Sequence, residues 1–175
     1  WDLVFLERDQ ALATVSADLT FRIFSLPVGY EIAQLRPHTA QVNRIAISPD
    51  EKLLATASED GRILIWDLPK LLSLRPRITG VLYSKEISRS QYIMVTVEDP
   101  NADIVSAKIS VEPEFLGTVS LSPGASFDPK VAGKTQASFG FQVTVTRPQR
   151  VRLILVVTDA LGLASDPKLV EFSVR

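Results

Sequence analysis

Cysteine is absent from this chain. Its absence excludes a disulfide framework and thiolate metal sites. Histidine occurs once, as His38, so no pair of histidines can hold a metal. No glycine-rich phosphate-binding loop is present either. No apolar run approaches the roughly 18 residues that cross a bilayer. Neither sign of charge prevails: 19 basic against 20 acidic residues leave a formal net charge of −1. So balanced a chain projects no field that gathers polyanions, which excludes nucleic acid as an expected partner.

What is present is the composition of a globular protein. The 175 residues allow one or two domains. Hydrophobic residues make up 46% and charged residues 22%, enough apolar surface to bury a core.

The most informative stretch is His38 to Asp67. It opens on His38-Thr39, is divided by Ser58-Glu59-Asp60-Gly61 between two apolar runs, and closes on Trp66-Asp67. This stretch resembles a WD40 repeat, one blade of a β-propeller. In that family a His between blades, a Ser or Thr on the second strand, an Asp in the next turn and a Trp on the third strand form a buried hydrogen-bonded chain. The resemblance places those positions on His38, Ser58, Asp60 and Trp66. The chemistry is coherent: a buried indole N–H needs an acceptor, a hydroxyl both accepts and donates, and a carboxylate can orient an imidazole.

A second copy of the pattern precedes it. Residues 1–26 laid on 43–68, a shift of 42, bring Leu12-Ala13-Thr14 onto Leu54-Ala55-Thr56, Ser16 onto Ser58 and Asp18 onto Asp60. A 42-residue period is the length of a WD40 repeat. Alternation and apolar runs predict strands at Leu3–Leu6, Ala11–Ser16, Thr20–Ser25 and Glu31–Leu35, the last after a Pro27-Val28-Gly29 turn. They predict a second set at Val42–Ser48, Leu53–Ser58, Ile63–Trp66 and Lys70–Leu74. Residues 1–75 are thus read as two WD40-type four-stranded blades, a partial propeller, the first entered at its innermost strand. Two blades cannot close a ring. The expectation is therefore a fragment of a longer WD-repeat protein whose missing blades are among its partners.

Residues 76–77 read as a linker, and the pattern changes beyond them. Seven short strands are predicted at Ile78–Ser84, Tyr92–Glu98, Val105–Val111, Thr118–Leu121, Ala137–Thr146, Val151–Thr158 and Lys168–Val174. That density in about 100 residues suits a seven-stranded immunoglobulin-like β-sandwich over residues 78–175. The phrases Glu98-Asp99-Pro100-Asn101-Ala102-Asp103 and Val157-Thr158-Asp159-Ala160-Leu161-Gly162 resemble polycystic-kidney-disease and related bacterial immunoglobulin-like modules. The whole is expected to be all-β.

Several groups invite chemical readings. His38, Ser58 and Asp60 include the residue types of a hydrolase triad, but their spacing belongs to the blade network, and a nucleophile needs exposure and an oxyanion hole. Asp99, Asn101 and Asp103 begin like a calcium loop. The sixth and twelfth positions are Ile104 and Ser110 instead of Gly and Glu, so the helix–loop–helix motif fails. A turn is the preferred reading, with a looser calcium site including Glu98 as its alternative. Arg147, Arg150 and Arg152 read as a solvated hairpin tip. No cofactor is expected.

The function read from the sequence is non-catalytic protein–protein recognition or scaffolding, with the partner's identity left open. Gln41, Arg44, Glu59 and Arg62, at turns or strand ends, are the partner-facing candidates by family analogy. The alternative is the tail of an exported bacterial enzyme or adhesin, its sandwich a spacer or carbohydrate-binding module. An exposed aromatic platform among Tyr83, Tyr92, Phe115, Phe127, Phe139, Phe141 and Phe172 would mark it. The compartment is left open, with an exported or bacterial cell-surface location favoured over a cytoplasmic one.

Overall fold

The computed structural model describes all residues except 7–9, 27, 113–116 and 132. Pro27 of the expected turn and Phe115 of the aromatic set lie outside the described residues. Among the described residues the chain is all-β apart from one short helix, and it divides into two compact units.

The first unit comprises Trp1–Arg75 together with Leu161–Ala164. Its first sheet is an antiparallel meander of β1 (Asp2–Leu6), β2 (Ala11–Val15), β3 (Phe21–Ser25) and β4 (Glu31–Leu35) in chain order. Alternation builds it, most plainly in β2. Ala11, Ala13 and Val15 of β2 are buried, while Leu12 and Thr14 on the other face are only partly so. The second sheet holds β5 (Val42–Ile47), β6 (Leu53–Ser58) and β7 (Ile63–Asp67). A tight turn joins β6 to β7, where Gly61 takes a φ of +78°, a conformation that L side chains resist. The two sheets share one core, in which Phe21 and Ile23 of the first sheet join Ile45 and Leu54 of the second.

The outer strand expected at Lys70–Leu74 is not formed, and the second sheet has three strands instead of four. Leu68–Ser73 is a helix, α1. The Asp67 side chain caps it by accepting the N–H of Lys70 at 2.9 Å. Pro69 falls in the first turn, where its missing N–H costs nothing. Leu68 and Leu71, three residues apart, turn one face into the core. These signals outweigh the brief Leu72-Ser73-Leu74 alternation.

The second unit comprises Pro76–Ala160 and Ser165–Arg175. Its first strand, β8 (Arg77–Leu82), begins inside the expected linker. The others are β9 (Glu86–Ile87), β10 (Ser90–Glu98), β11 (Ile104–Val111), β12 (Val119–Ser122), β13 (Ser126–Phe127), β14 (Gln136–Val145), β15 (Gln149–Asp159) and β16 (Lys168–Val174). They form one sheet ordered β12-β14-β10-β8 and another ordered β13-β11-β15-β16-β9. All the expected strands are present, with the two-residue β9 and β13 added. A single core lies between the sheets: Ile93, Val95 and Phe141 of the first meet Ile109, Leu153 and Phe172 of the second. Alternate positions on these strands face solvent, as in β10.

Candidate functional site

The polar centre of the second sheet is a chain of four side chains. Trp66 lies opposite Leu54 in the β6–β7 register, so its indole reaches the diagonal neighbour, Thr56. Trp66 Nε1 donates to Thr56 Oγ1 at 3.2 Å. Thr56 Oγ1 meets His38 Nε2 at 2.9 Å, and His38 Nδ1 meets Asp60 Oδ2 at 2.9 Å. The Asp60 carboxylate only accepts, so Nδ1 carries the proton that faces it; in the neutral ring Nε2 then accepts from the Thr56 hydroxyl, which in turn accepts from the indole. Thr56 is fully buried and His38 is 3% exposed. The Trp66 ring also packs against Phe21, centroids 5.7 Å apart.

The position expected for Ser58 is thus taken by Thr56. Ser58 is two residues on, at the turn, where its hydroxyl reaches the carbonyls of Ala40 and Gln41 at 3.0 and 2.9 Å and accepts the N–H of Asp60 at 3.1 Å. The two residues share a face, and the shift of 42 pairs both with hydroxyl residues, Thr14 and Ser16. Only the diagonal reach of the indole separates them.

Asp60 closes the network. Its side chain is 4% exposed. Burial works against its charge, yet the N–H groups of Thr39 and Arg62, each at 3.0 Å, and the His38 ring bind the carboxylate and hold it down at about 2. Within the network the Thr56 hydroxyl, the His38 imidazole and the Asp60 carboxylate are bonded to each other.

The surface candidates collect at the same end of the sheet. Gln41 Nε2 and Asn43 Nδ2 both donate to Glu59 Oε1, and the Glu59 N–H bonds the Gln41 carbonyl at 3.0 Å. Arg44 and Arg62 are exposed, and Arg44 folds back on the Asn43 carbonyl at 2.8 Å. Gln41 and Glu59 are therefore brought into contact. Asn43 joins them unanticipated, although its alternation out of the core on β5 marks it.

A second polar cluster lies in the second unit. Asp99, Asp103 and Asp159 place carboxylate oxygens within 4.8 Å of one another. The Asp99 carboxylate accepts the N–H groups of Asn101 at 3.3 Å and Asp103 at 2.8 Å, the turn chemistry expected of this sequence. Burial, and then the neighbouring Asp99, raises the Asp103 carboxyl above its ordinary value. Oxygen ligands of this kind could hold a hard cation such as calcium. The Asn101 amide lies toward Asp159 at 3.5 Å. Asp159 lies too far along the chain for local spacing to reveal.

The remaining candidates divide between core, surface and ion pairs. Phe139, Phe141 and Phe172 are core residues, with Phe139 edge-on to Phe127. Tyr92 is exposed and lies over Gly140, where a side chain would collide with its ring. Arg150 and Arg152 of the expected hairpin tip pair with Glu171, and Arg152 also with Glu112. Among the described residues, no helix is long and apolar enough to cross a membrane.

A WD40 repeat, described as "WD domain, G-beta repeat", matches residues 29–67 and contains all four members of the buried chain. The match places one WD40-type repeat within the first unit. Among particular relatives, the chain is similar to Coronin-7 of Rattus norvegicus and of Bos taurus, in each case 46% identical over 56 residues, or 32% of this chain. It spans 6% of the length of either relative. Among solved structures, the sialic acid binding region of a Streptococcus sanguinis adhesin aligns over 79% of this chain and 38% of its own, with 12% identity and a TM-score of 0.40, a likeness too slight to carry an argument.

Proposed function

We propose that this chain is a non-catalytic protein-recognition module: two propeller blades of the WD-repeat kind, followed by an immunoglobulin-like sandwich. The observation that carries the reading is the sealed His38 network. It uses up the only chemistry-bearing cluster of the repeat, and it holds the β6–β7 turn against the start of β5 through Asp60 and Ser58. The exposed side chains on that fixed platform are Arg44, Glu59 and Arg62. A rigid, polar, mixed-charge rim suits a protein partner better than a small substrate.

The test compares the wild-type chain with a Glu59→Lys/Arg62→Glu variant as bait for proteins of the source cell. A partner held by the wild type and released by the variant, with the far-ultraviolet spectrum unchanged, is expected. Equal retention by both, or no partner for either, would remove the rim as a binding surface.

A further inference from the structure

The β14–β15 hairpin of the second unit turns through Thr146, Arg147 and Pro148. Two backbone bonds draw other segments to the same end of the sandwich. The Arg89 carbonyl, just before β10, accepts the Val145 N–H at 2.8 Å. The Arg175 N–H, just after β16, bonds the Ile87 carbonyl at 3.0 Å. These segments enclose a cavity of about 190 Å³ whose walls include Ser88, Arg89, Thr146, Arg147, Val174 and Arg175. Among the described residues, three arginines and no Asp or Glu line it.

That imbalance is local, since the whole chain carries a net charge of −1. The neighbouring arginines have acidic partners. Arg150 pairs with Glu171, Arg152 with Glu112 and Glu171, and Arg175 with Glu86 at 2.5 Å. A larger cavity, about 470 Å³, lies against β9 and β16; Lys85 and Arg150 line it, but so do Glu86 and Glu171, and its charges offset each other. Arg89 and Arg147 meet no acid among the described residues.

Two guanidinium groups on one small cavity repel each other, and an anion between them reverses the sign of that interaction. The guanidinium fork matches the paired oxygens of an oxyanion. The volume lies below the roughly 300–1,000 Å³ of cavities that enclose whole ligands, so one small group fills it. We propose that Arg89 and Arg147 form a binding site for a doubly charged phosphate group, either free phosphate or a phosphate monoester on a larger molecule. The charges match: two guanidinium groups without acidic partners face a group that carries about −1.5 to −2 at neutral pH. The Ser88 hydroxyl on the cavity wall supplies a further donor. A phosphodiester carries a single charge and leaves one arginine unanswered, which separates this site from a nucleic-acid contact.

Nuclear magnetic resonance of the full chain at about 0.15 M salt tests this, because diffuse surface attraction is screened there. Inorganic phosphate and glycerol 3-phosphate are the probes, and dimethyl phosphate and acetate the singly charged controls. Saturable shifts of the Arg89 and Arg147 Nε–H signals are expected with both probes. An Arg89→Gln/Arg147→Gln variant should bind about tenfold or more weakly, since it loses charge-assisted bonds; both sites are exposed, so the fold is retained. Arg152→Gln, outside the cavity, should bind as the wild type does. Equal affinity for the two probes supports a site that reads the oxyanion alone; tighter glycerol 3-phosphate supports a monoester on a larger molecule. Absence of saturable shifts in the wild type overturns the proposal. So do equal shifts with the singly charged controls, or a loss in Arg152→Gln as large as in the double variant, either of which reduces the effect to general surface charge.

Discussion

At the scale of single residues, Thr56 has the least freedom. Its hydroxyl accepts from Trp66 and donates to His38, and no solvent reaches it. Thr56→Val keeps the shape and strands both partners, so a loss of about 1–3 kcal/mol is expected in urea denaturation. Ser58→Ala, at a partly solvated turn, should cost less, about 0.5–1 kcal/mol. The opposite order would mean that Ser58 carries the network. Asp60 has a pH signature. Its carboxyl sits at about 2 in the folded chain, against an ordinary 3.8. A depressed carboxyl stabilises the fold fully above the unfolded value and loses that contribution as pH falls through the folded one. The stability gap between wild type and Asp60→Asn should therefore be constant at neutral pH and close between about pH 4 and pH 2. A gap independent of pH across that window would show that the charge on Asp60 does not support the blade. In the first sheet Asp18, the twin of Asp60, is held without histidine, by Thr20 and by Arg22 at 2.6 Å.

At the scale of elements, α1 shows how short signals compete. Asp67→Ala removes the acceptor for the Lys70 N–H, and a cap of this type contributes about 1 kcal/mol. Faster amide exchange at Lys70 and Leu71 is expected, with β6 and β7 unchanged; unaltered exchange at both residues would show that packing of Leu68 and Leu71 holds the helix alone. The strands themselves were plain to read. The long strands of the second unit match the alternation to within two residues, because one face of each is buried and the period of 2 is written into the side chains. What escaped was short or distant. The strands β9 and β13 are two residues long and show no period. Thr56 and Ser58 share a face, so alternation cannot rank them. Asp159 meets Asp99 only because β15 lies along β11, whose entry turn carries the Asp99 carboxylate.

At the scale of the molecule, the two units keep separate cores with no residue in common. Chain order does not assign every residue to its core. Leu163 falls between β15 and β16, yet it is fully buried in the core of the first unit. Leu161–Ala164 lies along β4 as a short added strand: Gln34 N–H bonds the Gly162 carbonyl at 2.8 Å, and Ala164 N–H bonds the Ile32 carbonyl at 2.7 Å. Arg75 Nε holds the Ala164 carbonyl at 2.8 Å. Gly162, at φ +84°, allows the close approach, since a Cβ there would strike the Gln34 carbonyl. The segment thereby covers the outer edge of β4, which would otherwise expose unpaired backbone groups. Nothing in the local sequence announces this, because residues 161–164 read as the loop of a hairpin. The consequence is measurable. Leu163→Ala empties a fully buried site and should cost about 2–5 kcal/mol. Hydrogen exchange should quicken in β2, β3 and β4, more than one hundred residues away in sequence, while β10 and β14 keep their protection. Loss of protection in β10 and β14 with β2–β4 unchanged would place Leu163 in the core of the second unit.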